Sequence, residues 1–336
     1  MSPFHVQKCF DNRMLFIPYF PRRTDGSGKD GRGGAAYTAY KIMPCVAYFG
    51  ADGHVQSRRP AGMTFMKNVD IKLERLRSLL KELGGVVIGY SGGCDSTLLA
   101  AVARDILGDR AVCVLASSET YPRSEIEEAI ETADRLGIPV IRIDTDELRN
   151  EAFAANTPDH CYVCKKELFG KLAEIGQAHG IPWVADGSNV DDLDDYRPGS
   201  RAAREFGVRS PLREAGFTKE EIRELSCRLG LPTWDKPSFA CLASRIPYGT
   251  RIESFVLRRL EEAERFLKEL GFRQVRVRHH GDTARIEVEP NQIPCLALPE
   301  IRQRVAQKFR ELGYLYTSMD LDGYRTGSMN AVLERR

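Results

Sequence analysis

The stretch "GVVIGYSGGCDSTLLA" (residues 85–100) decides how this chain folds. It opens on a short apolar run rich in β-branched side chains, the composition of a buried strand. From Cys94 an amphipathic pattern, "CDSTLLAAVARDIL", runs to residue 107 and reads as a helix. Between the two, Gly92 and Gly93 let the backbone turn tightly and expose its N–H groups. Ser91 and Ser96 add hydroxyl donors, and the helix start adds the positive end of its dipole. Such a loop suits a pyrophosphate. It is not a Walker A loop, because the lysine of G-x-x-x-x-G-K-S/T is absent. A plain Gly-rich turn is the bland alternative, and a complete S-G-G-x-D-S directly after a strand argues against it.

Outward from this stretch the pattern repeats. "RAVCVLA" (110–116) reads as a second strand, "RSEIEEAIETADRLG" (123–137) as a helix and "IPVIRIDT" (138–145) as a third strand. "KKELFGKLAEIGQAHG" (165–180) is a further helix and "IPWVADG" (181–187) a fourth strand. Apolar strands alternating with helices imply an α/β fold, a parallel sheet covered on both faces, with ligands beyond the C-terminal strand ends. After about residue 250 the style changes. "SFVLRRLEEAERFLKELG" (254–271) is a helix, "RQVRVRHH" and "ARIEVEP" are paired strands, and a helix at 300–312 precedes a last strand at 314–319. The expected division is a parallel-sheet domain at 66–250 and a smaller α+β domain at 251–336. Residues 1–65, with the aperiodic "PRRTDGSGKDGRGGAAY", read as a disordered arm or as a start assigned upstream of the true one.

Lys plus Arg (49) nearly cancel Asp plus Glu (47), so charge gives no case for a nucleic-acid or membrane surface. No apolar run approaches the roughly 20 residues of a membrane span, and the N-terminus lacks the pattern of a signal peptide. The 9 cysteines are scattered without a framework, which points to a reducing cytoplasm with free or metal-bound thiols.

"HCYVC" (160–164) sets Cys161 and Cys164 two residues apart. The pair can be a redox couple, half of a metal site or ordinary packing. Cys113, Cys295 and Cys227 lie in apolar or helical patterns and read as core, and Cys94 as a small packed residue. Cys241 differs, because "KPSFACLASRIPYGTRI" (236–252) is a Pro- and Gly-punctuated loop with basic neighbours. It is the natural third thiol. A closed zinc site needs four ligands, and His160, adjacent to Cys161, is awkwardly placed to be one. Three thiolates without a clear fourth favour a [4Fe-4S] cluster with one open iron, with zinc and structural or redox thiols left open.

The S-G-G-x-D-S motif resembles the PP-loop of the ATP pyrophosphatases. That resemblance implies an adenine nucleotide α-hydrolase-like fold and ATP split between its α- and β-phosphates. It makes Ser91, Gly92, Gly93, Asp95 and Ser96 pyrophosphate and Mg²⁺ site residues. It also gives a role to the acidic loop "DGSNVDDLDDYRPG" (186–199), where Asp192 is the candidate for Mg²⁺ and Arg197 for phosphate or carboxylate. From about 68 to 330 the chain resembles the LarE family of ATP-dependent sulfur transferases. The matching pieces are "GYSGGCDS", "CYVCKKELF", "DGSNVDDLDDYRPG", "GVRSPL", "KPSFACLASRIPYGTRI", "ARIEV" and "GYRTGSMN".

The family resemblance implies a pyridinium-3,5-biscarboxylate mononucleotide as substrate, on the route to the nickel-pincer cofactor of lactate racemase. Each carboxylate is adenylated and converted to a thiocarboxylate. One branch of the family sacrifices the sulfur of the cysteine matching Cys241. The other has all three cysteines and carries sulfide on the open iron of a cluster. Cys161, Cys164 and Cys241 place this chain with the second. Arg245 and Arg251, beside Cys241, are the leading candidates to meet the anionic substrate, ahead of Arg209, Arg213, Arg285 and Glu287. The basic "RVRHH" reads as a strand face, not an RNA surface. A homo-oligomer, with other pincer-cofactor biosynthesis proteins as partners, is expected. The rivals are a tRNA thiolase, an ammonia-dependent amidating synthetase and a nucleotide-sensing protein.

Overall fold

Val86 and Ile88 face one side of a strand and Val87 the other, and none of the three has exposed surface. A strand buried on both faces must lie inside a covered sheet. The computed structural model describes residues 63–193, 198–238, 240–325 and 327–328. The expectation for residues 1–65 falls almost wholly outside these, and Arg197 lies outside them too. Residues 65–336 form one compact unit.

After helix α1 (Met63–Leu83), strand β1 (Val86–Gly89) leads into α2 (Cys94–Leu107), then β2 (Ala111–Ser117), α3 (Arg123–Arg135) and β3 (Val140–Asp144). Helix α4 (His160–Ala178), β4 (Val184–Ala185) and α5 (Lys219–Arg228) follow. Among the described residues the sheet has the order β3-β2-β1-β4, all parallel. Val86 and Ile88 pack under Leu98 and Leu99 of α2, Leu76 and Leu80 of α1, and Ile222 and Leu225 of α5. On the opposite face Val87, Val112 and Val114 meet Phe169 and Leu172 of α4.

The second sheet contains β5 (Val275–His280), β6 (Thr283–Val288) and β7 (Tyr316–Met319), joined in that order. β5 and β6 are antiparallel, whereas β6 and β7 are parallel. Helices α6 (Ser254–Glu269) and α7 (Pro299–Glu311) complete this part, with α6 lying against β5. The expected basic strand face is here, but it is buried: Arg276 and Arg278 are only 6% and 5% exposed. No helix of the described residues is long and apolar enough to cross a membrane.

Two sequence expectations are corrected. Helix α4 begins at His160, not at 165, so "HCYVC" is its first turn and not a loop before it. The i, i+3 spacing of Cys161 and Cys164 therefore puts both thiols on one side of a helix start. Cys227 is exposed, not core. Helix α5 buries Ile222, Leu225 and Ser226, an i, i+3, i+4 stripe that leaves position 227 on the outer face.

Leu98 has no exposed surface and packs against β1. Its truncation, Leu98→Ala, should lower stability by about 2–5 kcal/mol, measured as a lower denaturation midpoint with an unchanged slope in urea.

Candidate active site

Each strand of the parallel sheet ends at one rim, and the candidate site is built from the four loops that leave it. After β1, Tyr90 anchors the phosphate loop by donating its N–H to the Val114 carbonyl (2.8 Å) and its hydroxyl to the Ala129 carbonyl (3.2 Å). Gly92 follows with φ +67°, and a Cβ there would lie 2.3 Å from the Ala129 Cβ. Only glycine fits that approach. The Ser96 hydroxyl donates to the Gly93 carbonyl (3.3 Å), accepts the Ser91 N–H (3.2 Å) and lies 3.0 Å from the Ser91 hydroxyl. Gly93 caps α2 without any side-chain bond, which leaves the first N–H groups of a 14-residue helix to an anion. Cys94 packs inward, its Sγ 3.6 Å from the Ser226 hydroxyl, and burial raises its thiol pKa.

Asp95 is held from two sides. Its carboxylate pairs with the Lys219 ammonium, and its other oxygen accepts the Asn189 amide at 3.3 Å. Lys219 is the first residue of α5, fixed by a capping box between Thr218 and Glu221. It thus brings from another helix the ammonium that the loop's own sequence lacks. The acidic loop after β4 closes the same network. Asp192 accepts the Asn189 N–H (2.9 Å), the Asn189 side chain accepts the Asp191 N–H (2.9 Å), and Asp191 accepts the Lys219 N–H (2.8 Å). Asp186 points away, accepting the hydroxyls of Ser188 (2.9 Å) and Ser210 (2.8 Å). Gly187 passes so close that a Cβ would sit 3.1 Å from the Ser96 nitrogen.

The thiols gather beyond β2 and β3. Cys161 Sγ is 3.2 Å from His160 Nε2, while His160 Nδ1 lies 2.9 Å from the Thr157 carbonyl. Nδ1 must carry the proton to donate to a carbonyl, so Nε2 is the acceptor of the Cys161 S–H. Burial lowers the His160 pKa, which agrees with a neutral ring. Cys164 Sγ is 3.7 Å from Glu147 Oε1. Burial pushes the Cys164 thiol up, and the charges of Glu147, Cys241 and Cys161 push it further. Burial also raises Cys241, against the pull of Arg245. The Tyr121 phenol is raised well above its usual range by burial and then by Cys164, Cys241, Glu147 and Cys161. Cys164 thus feels the charges of Glu147, Cys241 and Cys161, and all three cysteines are partly buried. No three His, Cys, Asp or Glu side chains among the described residues are grouped tightly enough to hold a single metal ion.

Cys241 has no regular element of its own, and buried arginines hold it. Arg245, 0% exposed, forks onto Glu264 (2.9 and 3.0 Å) and donates to the Cys241 carbonyl at 2.9 Å. Arg276 donates to the Ser238 carbonyl (2.7 Å) and Arg278 to that of Ser244 (3.0 Å), while Arg278 also forks onto Glu287. Burial, then the Arg245 charge, lowers Arg276 to about 10. The Leu242 N–H donates to the Thr120 carbonyl at 2.7 Å, which ties the loop to the end of β2. Asn156, buried at φ +51°, sends its amide to the carbonyls of Ile246, Pro247 and Thr250 (3.2, 2.9 and 3.0 Å). It thereby links the approach to Cys161 with the exit from Cys241.

Of the residues singled out from sequence, Ser91, Gly92, Gly93, Asp95 and Ser96 share one loop that reaches Asp192 through Asn189, Cys161 and Cys164 share one helix turn, and the Cys241 charge acts on Cys164. Arg245 reaches the Cys241 backbone, and Arg251 is exposed and forked onto Glu151. Arg209 is forked onto Glu214. Lys219, Glu147, Tyr121, Asn156, Arg276 and Arg278 were not anticipated. Only Lys219 carries a local signal, the T-x-x-E of its capping box. The others act through contacts far apart in sequence.

Residues 71–167 match the NAD synthase family. The chain is 38% identical over 271 residues to a pyridinium-3,5-bisthiocarboxylic acid mononucleotide synthase of Lactiplantibacillus plantarum, covering 80% of this chain and 98% of that protein. It is 45% identical over 267 residues to an uncharacterized protein of Synechocystis sp., covering 80% and 100%. A glutamine-hydrolyzing GMP synthase of Paraburkholderia phytofirmans is 28% identical over 184 residues, 47% of this chain and 34% of that one.

Lys219→Ala removes a charge-assisted bond worth about 1.5–3 kcal/mol and leaves Asp95 facing the phosphates without its partner. Calorimetric titration should show pyrophosphate binding weakened by about tenfold or more, with Lys219→Arg recovering part of the loss.

Proposed function

The chain belongs to the LarE family of PP-loop ATP-dependent sulfurtransferases, and on that premise we propose its substrate and sulfur source. It adenylates the carboxylates of pyridinium-3,5-biscarboxylate mononucleotide and converts them to thiocarboxylates. Cys161, Cys164 and Cys241 would hold a [4Fe-4S] cluster, which would supply the sulfur. The observation that carries this reading is one rim with two sites. The pyrophosphate loop leaves β1, Cys161 and Cys164 sit in the first turn of α4, and the Cys241 loop is tied to the end of β2 by the Leu242 N–H on the Thr120 carbonyl.

In the first half-reaction a substrate carboxylate oxygen attacks the α-phosphorus of ATP and pyrophosphate leaves. The N–H groups at the start of α2, the Ser91 and Ser96 hydroxyls and the Lys219 ammonium would take the charge of that leaving group. Asp95 and Asp192 are the candidates for Mg²⁺, which prefers carboxylate oxygen. In the second half-reaction a sulfur nucleophile attacks the acyl-adenylate carbon, and AMP departs with the original carboxylate oxygen. The sum is carboxylate, ATP and sulfide giving thiocarboxylate, AMP and pyrophosphate, with no net oxidation.

The donor set fits the cluster. Cys161, Cys164 and Cys241 are free, partly buried thiols, the donor type that iron–sulfur clusters take. Bound there, the cluster would supply one iron without a cysteine ligand, where sulfide can sit. The protein's own part is to hold the three thiols: Cys161 and Cys164 by the α4 start, Cys241 by the arginine-braced loop. A reducing compartment suits such thiols.

Pyrophosphate release from ATP should require the pyridinium dicarboxylate nucleotide. Cys241→Ala should retain that release, yet form no thiocarboxylate by mass spectrometry and lose the iron of anaerobically prepared protein. Release stimulated by tRNA instead would favour a thiolase, and release coupled to ammonia an amidating synthetase.

A further inference from the structure

The parallel sheet treats its two edges differently. At β4 the chain closes its own edge: the Arg209 N–H donates to the Val184 carbonyl (2.8 Å) and the Asp186 N–H to the Arg209 carbonyl (3.0 Å). At β3 nothing comparable exists among the described residues, and β3 pairs with β2 alone. The Thr145 N–H turns inward to the Ser117 carbonyl at 2.9 Å. Hydrogen-bonding direction alternates along a strand, so Val140, Arg142 and Asp144 turn their N–H and C=O groups outward. Among the described residues only the Asp144 carbonyl finds a donor there, the Lys171 ammonium at 2.8 Å.

Strands of parallel sheets are normally covered. Ile141 is nevertheless 37% exposed, and Arg142 and Asp144 beside it are exposed as well. An open edge is a template for another strand unless charge, proline or a bulge blunts it. The charges here are of opposite sign and two residues apart, hence on one face of the strand. Neither has an ion-pair partner among the described residues.

The order of these charges selects the partner. In an antiparallel pair about a two-fold axis at Ile143, Arg142 lies opposite the partner's Asp144, and Asp144 opposite the partner's Arg142. Both are outward-turned residues, so the two pairs that match in charge also close the backbone ladder. On the other face Ile143 meets its own copy, and Ile141 meets the partner's Thr145. An axis at Arg142 would set like charges against each other, and one at Ile141 would leave Asp144 opposite an isoleucine.

We propose that the β3 edge is a dimer interface, on which a second copy of this chain pairs antiparallel about a two-fold axis at Ile143. Two four-stranded parallel sheets then join edge to edge with an antiparallel seam, an arrangement common in large sheets. The partner's strands run the opposite way, so the two candidate sites open on opposite rims.

Sedimentation equilibrium of the full chain tests the surface, and disulfide trapping tests the register. Wild type should dimerise. Arg142→Asp or Asp144→Arg sets like charges opposite one another twice, and each should raise the dissociation constant about tenfold or more. Combining the two restores opposite signs and should return the constant to within about threefold of wild type. Ile143→Cys should give, under a mild oxidant, a covalent dimer linked from position 143 to position 143. Opposed residues of a non-hydrogen-bonded pair have Cα atoms only about 4.5 Å apart, within disulfide reach. Ile141→Cys, the register control, should not link to itself. A monomeric wild type, or an oligomer that both reversals leave unchanged, overturns the proposal. So does a combined variant no more dimeric than the single ones, or a link from 141 to 141 in place of 143 to 143. Where circular dichroism shows that a reversal lowers the folded fraction, the trap decides alone: the link at 143 supports the interface and its absence overturns it.

Discussion

The buried ion pair between Arg245 and Glu264 is the constraint on which the rest depends. Burial alone would raise the Glu264 carboxyl, and the guanidinium beside it turns the net shift downward, so the pair is charged in place. Glu264 also accepts the Val277 N–H at 3.0 Å, which fixes α6 to the first strand of the second sheet. Arg245 in turn donates to the carbonyls of Ala240 and Cys241. A pair of this kind is weak evidence for stability, because desolvating two charges offsets much of their attraction. Removing one partner is different, at about 3–5 kcal/mol, since a lone charge remains buried. What the pair specifies is a geometry: the loop with the third thiol can sit only where α6 and β5 meet it.

That geometry explains why two sheets form one compact unit. The parallel sheet supplies a rim with the phosphate loop on it, which is the usual place for ligands in such folds. A rim alone cannot hold a thiol that arrives on an irregular segment. The second sheet turns Arg276 and Arg278 toward the backbone on both sides of Cys241, at Ser238 and Ser244. Each guanidinium meets a carbonyl that would otherwise want water. Side chains that look in sequence like a surface basic patch are therefore internal struts.

How much was legible follows from how local each signal is. The strand, loop and helix around residue 92 were readable to within a residue or two, because apolar run, glycines and helical period lie within 23 positions. Cys161 and Cys164 were visible as a pair but misplaced before their helix, since "TPDH" offers no capping box to announce the start at His160. Cys227 looked buried because a cysteine in a helical pattern is most simply a core residue. Only the phase of the stripe through Ile222, Leu225 and Ser226 shows that it faces outward. Lys219, Glu147 and Asn156 could not be read as site residues, because their partners lie 124, 17 and 90 positions away. A charge run shows its composition in sequence, whereas pairing appears only once the chain has closed.

The three thiols also reach their places by unequal routes. Cys161 and Cys164 are brought to one side of α4 by their i, i+3 spacing in a single helical turn. Cys241 is positioned across the whole unit, through α6, β5 and the end of β2. The place of Cys241 is thus set only with the second sheet in position. Burial raises the thiols of Cys164 and Cys241, which favours their neutral forms.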